Sequence, residues 1–427
     1  MSTVSKSFGE IGTPSGRSSS GHGLFNRVNR KLISTATLNS LLLLVIVTVA
    51  IQITWLTPTL MILEGSSSCL KGGPHLYRYI QSQHSSPYDV FDNKENGFVR
   101  WSKSKSPDDR YFSACMVTMD DNHFWKEFLA YHYTFLNLRR LIVAVDPRSK
   151  TSPSRIFKQW EGLINITQWA DEDFIFDCEE YEDDLTDVHR CRQRRLYQMC
   201  SEALKKEKTT TWVAYIDVDE YIVPNWRAGP YERIQIYDRR MNIFDIFDAN
   251  PFLNDDFNYT CYPMSRVPVN IKESSPKEVY KDVPAGINAT SLMTLRYRHL
   301  EFNEEPLPGK CMVHLSEIDW SEIKDENHNT HRPFKSQCAE QDMWMSPWDS
   351  AFLTHHYPGS LEAFQFRDDP RKEERRTAAH YYEKHNGTRG VVPDDSARFW
   401  ISNFVDKVGL QRAQKLLKGA DLVGLED

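Results

Sequence analysis

The stretch WVAYIDVDEYIVP covers residues 212–224. Within it, an apolar run is followed by three acids in four positions, Asp217, Asp219 and Glu220. Like charges this close repel one another, and a divalent cation relieves the repulsion. If the strand conformation continues, Asp217 and Asp219 share one side because Val218 points the other way. Mg²⁺ or Mn²⁺ takes one or two such carboxylates together with diphosphate oxygens. The stretch therefore indicates a metal and diphosphate site, the alternative being a strand that simply ends in solvated acids.

Strand and helix patterns alternate around this stretch. Apolar runs predict strands over 111–119, 140–146 and 163–169, and a fourth that begins at residue 212 and ends at the acids. Helical spacing of apolar residues predicts helices over 123–137, 152–163, 186–208 and 396–417. This alternation predicts an α/β fold with a mostly parallel central sheet and flanking helices. Ligands of such sheets bind at the carboxyl ends of the strands, where Asp146 and Asp217 both fall.

Composition limits the classes of protein that remain. The chain has 427 residues, of which 40% are hydrophobic and 12% aromatic, as expected for a globular protein with a substantial core. Its formal net charge of −7 provides no basic surplus with which to hold a polyanion. Nucleic acid is therefore excluded as the expected partner.

The N-terminal part has a different character. Residues 1–31 are rich in Ser and Gly and end in basic residues, which indicates a cytosolic tail. Residues 32–63 contain no charge, and a helix of about 20 residues crosses a bilayer, so we predict a transmembrane signal anchor. A cleaved signal peptide and a buried core helix are the alternatives. Residues 64–110 are interpreted as a stem, and residues 111–427 as a lumenal catalytic domain.

Features of the secretory pathway lie beyond the anchor. N-glycosylation sequons occur at Asn165, Asn258, Asn288 and Asn386. All 8 cysteines follow the anchor, and eight cysteines allow 105 pairings. A helix would place Cys191 and Cys200 about 13 Å apart along its axis and on opposite faces, which excludes that pair. Cys69, in the stem, is expected either to cross-link two chains or to pair within one. Without a CxxC pair, metal binding by these cysteines is not expected.

Four stretches together resemble glycosyltransferase family 92: FWKEFLAYHYTFLNLRRLIVAVD, RQRRLYQMC, WVAYIDVDEYIVP and FLTHHYPGSLEAFQFR. The resemblance covers roughly residues 111–370. It implies a GT-A fold and a single-pass type II protein of the Golgi membrane with its catalytic domain in the lumen. The implied activity is that of a hexosyltransferase, which moves a sugar, often galactose from UDP-galactose, onto a glycan acceptor with inversion.

The resemblance also implies roles at the metal, which would be Mn²⁺ or Mg²⁺. Asp219 would bind it directly, and Asp217 would bind it through water or hold the ribose of the donor. A C-terminal histidine commonly completes such sites. His356 is the first candidate for this ligand because of its position in HHYPGS, and His331 is the second. A neutral imidazole suits Mn²⁺.

The donor and acceptor would need further residues. Asp146 could accept a hydrogen bond from the uracil or the ribose of the donor. Arg195, and after it Arg194, could reach the nucleotide, the alternative being a solvated patch that balances the acidic run 171–184. An inverting reaction requires a general base near the acceptor hydroxyl. Asp342 is the first candidate for this base and Glu340 the second.

Two other functions are compatible with the same residues. A phosphatase of the haloacid dehalogenase kind would use Asp217 as a covalent nucleophile. That class would carry Thr or Val where Tyr221 stands, and fewer folded residues would precede its nucleophile. A non-catalytic glycan-binding protein that retains the fold is the third possibility.

Overall fold

The computed structural model describes most of the chain beyond its N-terminal part. The described residues are 110–175, 178, 185–207, 212–225, 242–249, 261–302, 307–324, 331–334, 338, 344–348, 350–367, 377–385, 391–420 and 422. The predictions for the tail 1–31, the anchor 32–63 and the stem through residue 109 lie outside these residues. No helix within the described ranges is both long and apolar enough to span a membrane.

The described strands form one sheet of ten members. The strands are β1 Phe112–Thr118, β2 Leu138–Val145, β3 Asn165–Trp169, β4 Trp212–Tyr215, β5 Glu220–Pro224, β6 Cys261–Glu273, β7 Tyr297–Glu301, β8 Leu307–His314, β9 Phe352–His356 and β10 Val391–Pro393. Their order is β10-β7-β6-β8-β4-β1-β2-β3, and β9 joins β6 and β5.

The sheet has a parallel and a mainly antiparallel part. Strands β4, β1, β2 and β3 are parallel neighbours, as the alternating sequence pattern predicts. Beyond β4, the pairs β4–β8, β6–β8, β6–β7, β7–β10 and β5–β9 are antiparallel, whereas β6–β9 is parallel. The fold is therefore α/β with a parallel centre, and the parallel arrangement does not extend through the whole sheet.

Helices cover both faces of the parallel strands. They are α1 Asn122–Phe135, α2 Ser154–Gln159, α3 Leu185–Glu207, α4 Ile243–Ala249, α5 Pro276–Val279, α6 Met293–Arg296, α7 Trp320–Ile323, α8 Leu361–Phe366, α9 Ala378–His385, α10 Trp400–Val408 and α11 Leu410–Leu417. On β1, Ala114 and Met116 belong to the core under α1, whereas Cys115 belongs to the core under α3. Successive strand residues point to opposite faces, so two cores flank this part of the sheet.

Two predicted elements are interrupted. The strand expected to end at Asp217 stops at Tyr215, and a second strand begins at Glu220, so the strand conformation does not persist from Asp217 to Asp219. A turn lies between them, in which the Glu220 N–H donates to the Asp217 carbonyl at 3.0 Å. The helix expected over 396–417 is divided at Gly409, whose φ of 82° is compatible with glycine but not with continued helix.

Three disulfides hold the domain together. Cys115–Cys200 joins β1 to α3, Cys178–Cys191 joins the preceding loop to the same helix, and Cys261–Cys338 anchors β6. The exclusion of a Cys191–Cys200 pair is thus confirmed. Cys311 is a buried free thiol, and Cys69 lies outside the described residues.

Candidate active site

A cleft opens at the turn between β4 and β5, with a cavity volume of about 340 Å³. Its wall is mostly polar and comes from both halves of the sheet. The lining residues are Val117, Asp121, His123, Phe124, His189, Arg190, Gln193, Asp217, Val218, Asp219, Arg266, Lys310, His331, His356, Pro358, Ala363, Phe364, Arg367 and His385. The carboxyl ends of the parallel strands β1 and β4 lead into this cleft, which is where α/β sheets bind ligands.

The clustered acids are balanced by two cations of the protein. Lys310 Nζ lies 2.7 Å from Asp217 Oδ2 and 3.4 Å from Glu220 Oε2. Arg266 Nε lies 2.8 Å from Glu220 Oε1, and the side chains of Glu220 and Lys310 are buried. Much of the repulsion expected from the sequence is therefore neutralised inside the protein.

Asp217 is held by protein donors at both oxygens. Gln193 Nε2 donates to Oδ1 at 3.1 Å, and Lys310 donates to Oδ2. Burial tends to raise the pKa of Asp217, but the Lys310 ammonium outweighs it and the pKa is lowered. Asp217 is consequently an ionised carboxylate whose orientation is set by β8 and α3.

Asp219 differs from Asp217 in its hydrogen bonds. Its Oδ2 lies 3.5 Å from His356 Nε2, and its buried Oδ1 has no hydrogen-bond partner among the described residues. The antiparallel register places His356 opposite Glu220, and the Tyr357 N–H donates to the Asp219 carbonyl at 2.9 Å. Burial acts to raise the pKa of Asp219, yet His356 outweighs it and the pKa is lowered.

His331 reaches the same cleft from another segment. Its Nδ1 lies 2.8 Å from the Gly309 carbonyl, to which a protonated Nδ1 donates. Burial, followed by the charge of Lys310, lowers the pKa of His331 to about 4. The imidazole is therefore neutral at physiological pH, as metal binding requires.

Asp121 and Arg367 form a further charged pair on the cleft. Asp121 Oδ2 accepts from Thr118 Oγ1 at 3.1 Å and from the Met119 N–H at 2.9 Å, while Oδ1 lies 3.5 Å from Arg367 Nη1. Burial raises the pKa of Asp121. The Arg367 guanidinium lies on the cleft wall, where its positive charge faces the cavity lining.

The structure brings four predicted residues together and separates others. Asp217, Asp219, His331 and His356 line one cleft. Asp146, Arg194 and Arg195 do not line it. The Asp146 side chain is fully buried and paired with Arg148 at 2.7 Å, and Arg195 Nη1 donates to Gln198.

Helix α3 does contribute to the cleft, through a different face. His189, Arg190 and Gln193 line it, one turn before the predicted arginines. Gln193 also donates to the hydroxyl of Tyr197, one turn further along this face. The helical spacing of 190, 193 and 197 was the signal available in the sequence.

The remaining predicted positions divide by whether they are described. Asn165 and Asn288 are exposed, as glycan acceptors must be. Asp342, Glu340, Asn258 and Asn386 lie outside the described residues.

Sequence reasoning missed Lys310 and Arg266. Lys310 stands directly before the apolar run Cys311–Val313 in β8, and its ammonium is buried. A lysine beside a core strand is rarely buried without a carboxylate partner, so this position was a usable signal. Arg266 offered no comparable signal, because its partner is set by the pairing of β6 and β9.

The donor set fits a hard divalent cation. Asp219 offers an unpartnered carboxylate oxygen beside the imidazole of His356. Mg²⁺ and Mn²⁺ sites of nucleotide enzymes use one or two protein ligands and complete the shell with phosphate oxygens and water. The only cluster of three ligand atoms among the described residues is Cys261, Cys311 and Cys338, two of which form a disulfide. That cluster does not fit a metal.

Comparison with known proteins does not identify a function for this chain. No protein-family model and no curated protein matches the chain. Residues 1–349 of S. aureus TarS in complex with UDP match at 13% identity with a TM-score of 0.28, covering 72% of this chain and 83% of that one. An active-site mutant of LgtC matches at 11% identity with a TM-score of 0.24, covering 66% and 98%. Likeness at these TM-scores carries no argument about fold or activity.

Proposed function

We propose that this protein is a metal-dependent glycosyltransferase that transfers a sugar from a nucleotide-sugar donor to a glycan acceptor. The observation that carries the proposal is the pair of Asp219 and His356, with one unpartnered carboxylate oxygen, in a cleft at the carboxyl ends of the parallel strands. Cationic side chains surround this pair and suit a diphosphate. The resemblance to glycosyltransferase family 92 supports a UDP-sugar, with galactose as the first donor to test, and inversion.

The residues of the cleft have separate tasks in this proposal. Asp219 and His356 would hold Mn²⁺ or Mg²⁺, which supplies a Lewis acid that stabilises charge on the departing nucleoside diphosphate. Arg367 and Arg190 line the cleft and provide positive charge for the phosphates. Asp342, with Glu340 second, is proposed as the general base that takes the proton of the acceptor hydroxyl.

The proposed cellular setting is the Golgi membrane, with the anchor 32–63 and a lumenal catalytic domain. Three disulfides in the described residues suit an oxidising compartment. The exposed Asn165 and Asn288 suit glycosylation there. A dimer linked through Cys69 belongs to the same proposal.

The test is a donor screen with the purified full-length chain in detergent. UDP- and GDP-sugars are supplied with Mn²⁺ and a mixture of glycans, and both nucleoside diphosphate release and glycan mass are measured. We expect transfer that EDTA abolishes and that is lost in Asp219→Asn. Asp248→Asn is the matched control, because it removes an exposed carboxylate outside the cleft.

Other outcomes would reject the proposal. Release of phosphate from phosphomonoesters, dependent on Asp217, would indicate a phosphatase. Glycan binding without turnover of any donor would indicate a non-catalytic glycan-binding protein.

A further inference from the structure

Lys310 is a buried cation that lies between two acids of the cleft. Its side chain is 1% exposed, and its ammonium contacts both Asp217 and Glu220. The backbone of β8 is held on both sides, because Lys310 is paired with Met264 of β6 and the next residue, Cys311, with Tyr215 of β4. The ammonium is thus fixed by a central strand.

The two aspartates of the turn are therefore unequal. Asp217 has Gln193 on one oxygen and Lys310 on the other. Asp219 has an oxygen without a hydrogen-bond partner among the described residues. A divalent cation that approached Asp217 would meet the positive charge of Lys310 at the same carboxylate, and like charges at this distance repel strongly in a partly buried site.

We propose that Lys310 is a positioning residue that competes with the divalent cation for Asp217. This inference rests on the proposed function. Lys310 confines the metal to Asp219 and His356, and it lowers the affinity of the site for metal before the nucleotide arrives. Lys310 also keeps a positive charge beside the phosphates when no metal is bound.

The charges around the cleft agree with this role. Asp121, Asp217, Asp219 and Glu220 face an equal number of arginine and lysine side chains, namely Arg190, Arg266, Lys310 and Arg367. A divalent cation alone would therefore give these groups an excess of positive charge. The diphosphate of the donor offsets that excess when both bind.

The experiment removes Lys310 together with one negative charge of the same buried cluster. Lys310→Met alone would leave Asp217 without a cation and Glu220 with Arg266 alone, and such a loss of charge balance in a buried cluster can prevent folding. The double variant Lys310→Met with Glu220→Gln removes one charge of each sign. Affinity for Mn²⁺ is measured without nucleotide by electron paramagnetic resonance, and affinity for UDP is measured in EDTA by calorimetry. All variants are made in the full-length chain.

We expect the two affinities to move in opposite directions. In the double variant, Mn²⁺ binding without nucleotide tightens about tenfold because a carboxylate oxygen of Asp217 is released. UDP binding without metal weakens about tenfold because one positive charge is lost. Adding Asp217→Asn to the double variant abolishes the gain in Mn²⁺ affinity. Lys310→Arg, which keeps the charge, retains the wild-type affinity for Mn²⁺.

Two controls separate this role from stability. Glu220→Gln alone retains the Lys310 and Asp217 pair and removes a nearby negative charge, so Mn²⁺ affinity does not tighten. Lys126→Met removes another buried lysine, which donates to the Lys418 carbonyl outside the cleft, and leaves both affinities unchanged. Should Lys310→Met with Glu220→Gln fail to fold, Lys310→Gln with Glu220→Gln makes the same charge change with a polar side chain.

The outcomes distinguish this inference from the proposed function. A folded double variant whose Mn²⁺ affinity is unchanged or weaker overturns the role of Lys310, because a purely structural role predicts that result. A wild-type chain that binds neither Mn²⁺ nor UDP overturns the proposed function itself.

Discussion

Two carboxylate clusters follow neighbouring strands on either side of β1, and they differ in how completely they are paired. After β2, Asp146 Oδ1 accepts from Arg148 Nε at 2.9 Å, and Oδ2 lies 2.7 Å from Arg148 Nη2 and 3.6 Å from Arg192 Nη1. After β4, Asp219 retains a buried oxygen with no hydrogen-bond partner among the described residues. Position at a strand end is common to both, so only the pairing distinguishes a structural acid from a candidate ligand.

The difference arises from where the partners come from. Arg148 is two residues from Asp146, so a short loop supplies both the guanidinium and a backbone N–H to the same carboxylate. The partner of Asp219 is His356, which β9 brings from a distant part of the chain. A local ion pair satisfies both oxygens of Asp146 in the first cluster, which we call the closed cluster. In the second, which we call the open cluster, one oxygen of Asp219 has no hydrogen-bond partner among the described residues.

The largest expected effect is at the open cluster. Asp219→Ala removes the unpartnered carboxylate, so sugar transfer should fall about a thousandfold and Mn²⁺ affinity should fall with it. Rates with UDP-galactose and direct Mn²⁺ binding provide the measurement. Unchanged transfer and unchanged Mn²⁺ affinity would mean that the open oxygen is not a ligand site.

The next effect is at the closed cluster and concerns stability. Asp146→Asn leaves Arg148 and Arg192 beside a neutral amide, so the free energy of unfolding should fall by about 3 kcal/mol. Urea denaturation measures this change. Affinity for UDP should stay within about twofold of wild type, because Asp146 does not line the cleft. A large loss of UDP affinity in the folded variant would place Asp146 in the donor site after all.

The contribution of the Asp146 ion pair to the free energy of unfolding should depend on pH. Burial tends to raise the pKa of Asp146, but hydrogen bonds and charge from Arg148 outweigh it, so the folded pKa is lowered. A depressed carboxylate pKa stabilises the fold above the unfolded value of about 3.9. That stabilisation is lost as the pH falls through the folded pKa. The difference between wild type and Asp146→Asn in free energy of unfolding should therefore shrink as the pH drops below about 4.

A smaller effect separates the two histidines. His356→Asn removes the imidazole beside Asp219, and Mn²⁺ affinity should fall about tenfold. His331→Asn removes a ring whose Nδ1 faces the Gly309 carbonyl, and Mn²⁺ affinity should change by less than about twofold. Binding is measured in the presence of UDP. The opposite ranking would make His331 the ligand.

The smallest effect is expected at Arg195. Its guanidinium donates to Gln198 on the same helix and does not line the cleft. Arg195→Gln should change UDP affinity by less than about twofold, as for an exposed or locally paired charge. Arg190→Gln is the matched comparison on the cleft-lining face, and it should weaken UDP binding more.

Local pattern was sufficient for much of the fold. The strands and helices from β1 to α3 follow from apolar periodicity, because their side chains must be buried on the sheet and helix faces. The pattern also predicted that a strand ends at the acids, but not that a tight turn follows and that a second strand begins at Glu220. In that turn Glu220 accepts from the Asp217 N–H, and Lys310 and Arg266 compensate the acids from β8 and β6. Contacts from distant strands override the local strand preference there.

The sequence by itself determined that acids follow a buried strand, that histidines concentrate in the second half and that eight cysteines follow a long apolar segment. These features depend on residue type and spacing along the chain. Only the tertiary structure decided that Asp217 is neutralised by Lys310, that Asp219 faces His356 and that Asp146 is closed by arginines. Such pairings depend on strand register and burial, and those are set by the packing of the whole domain.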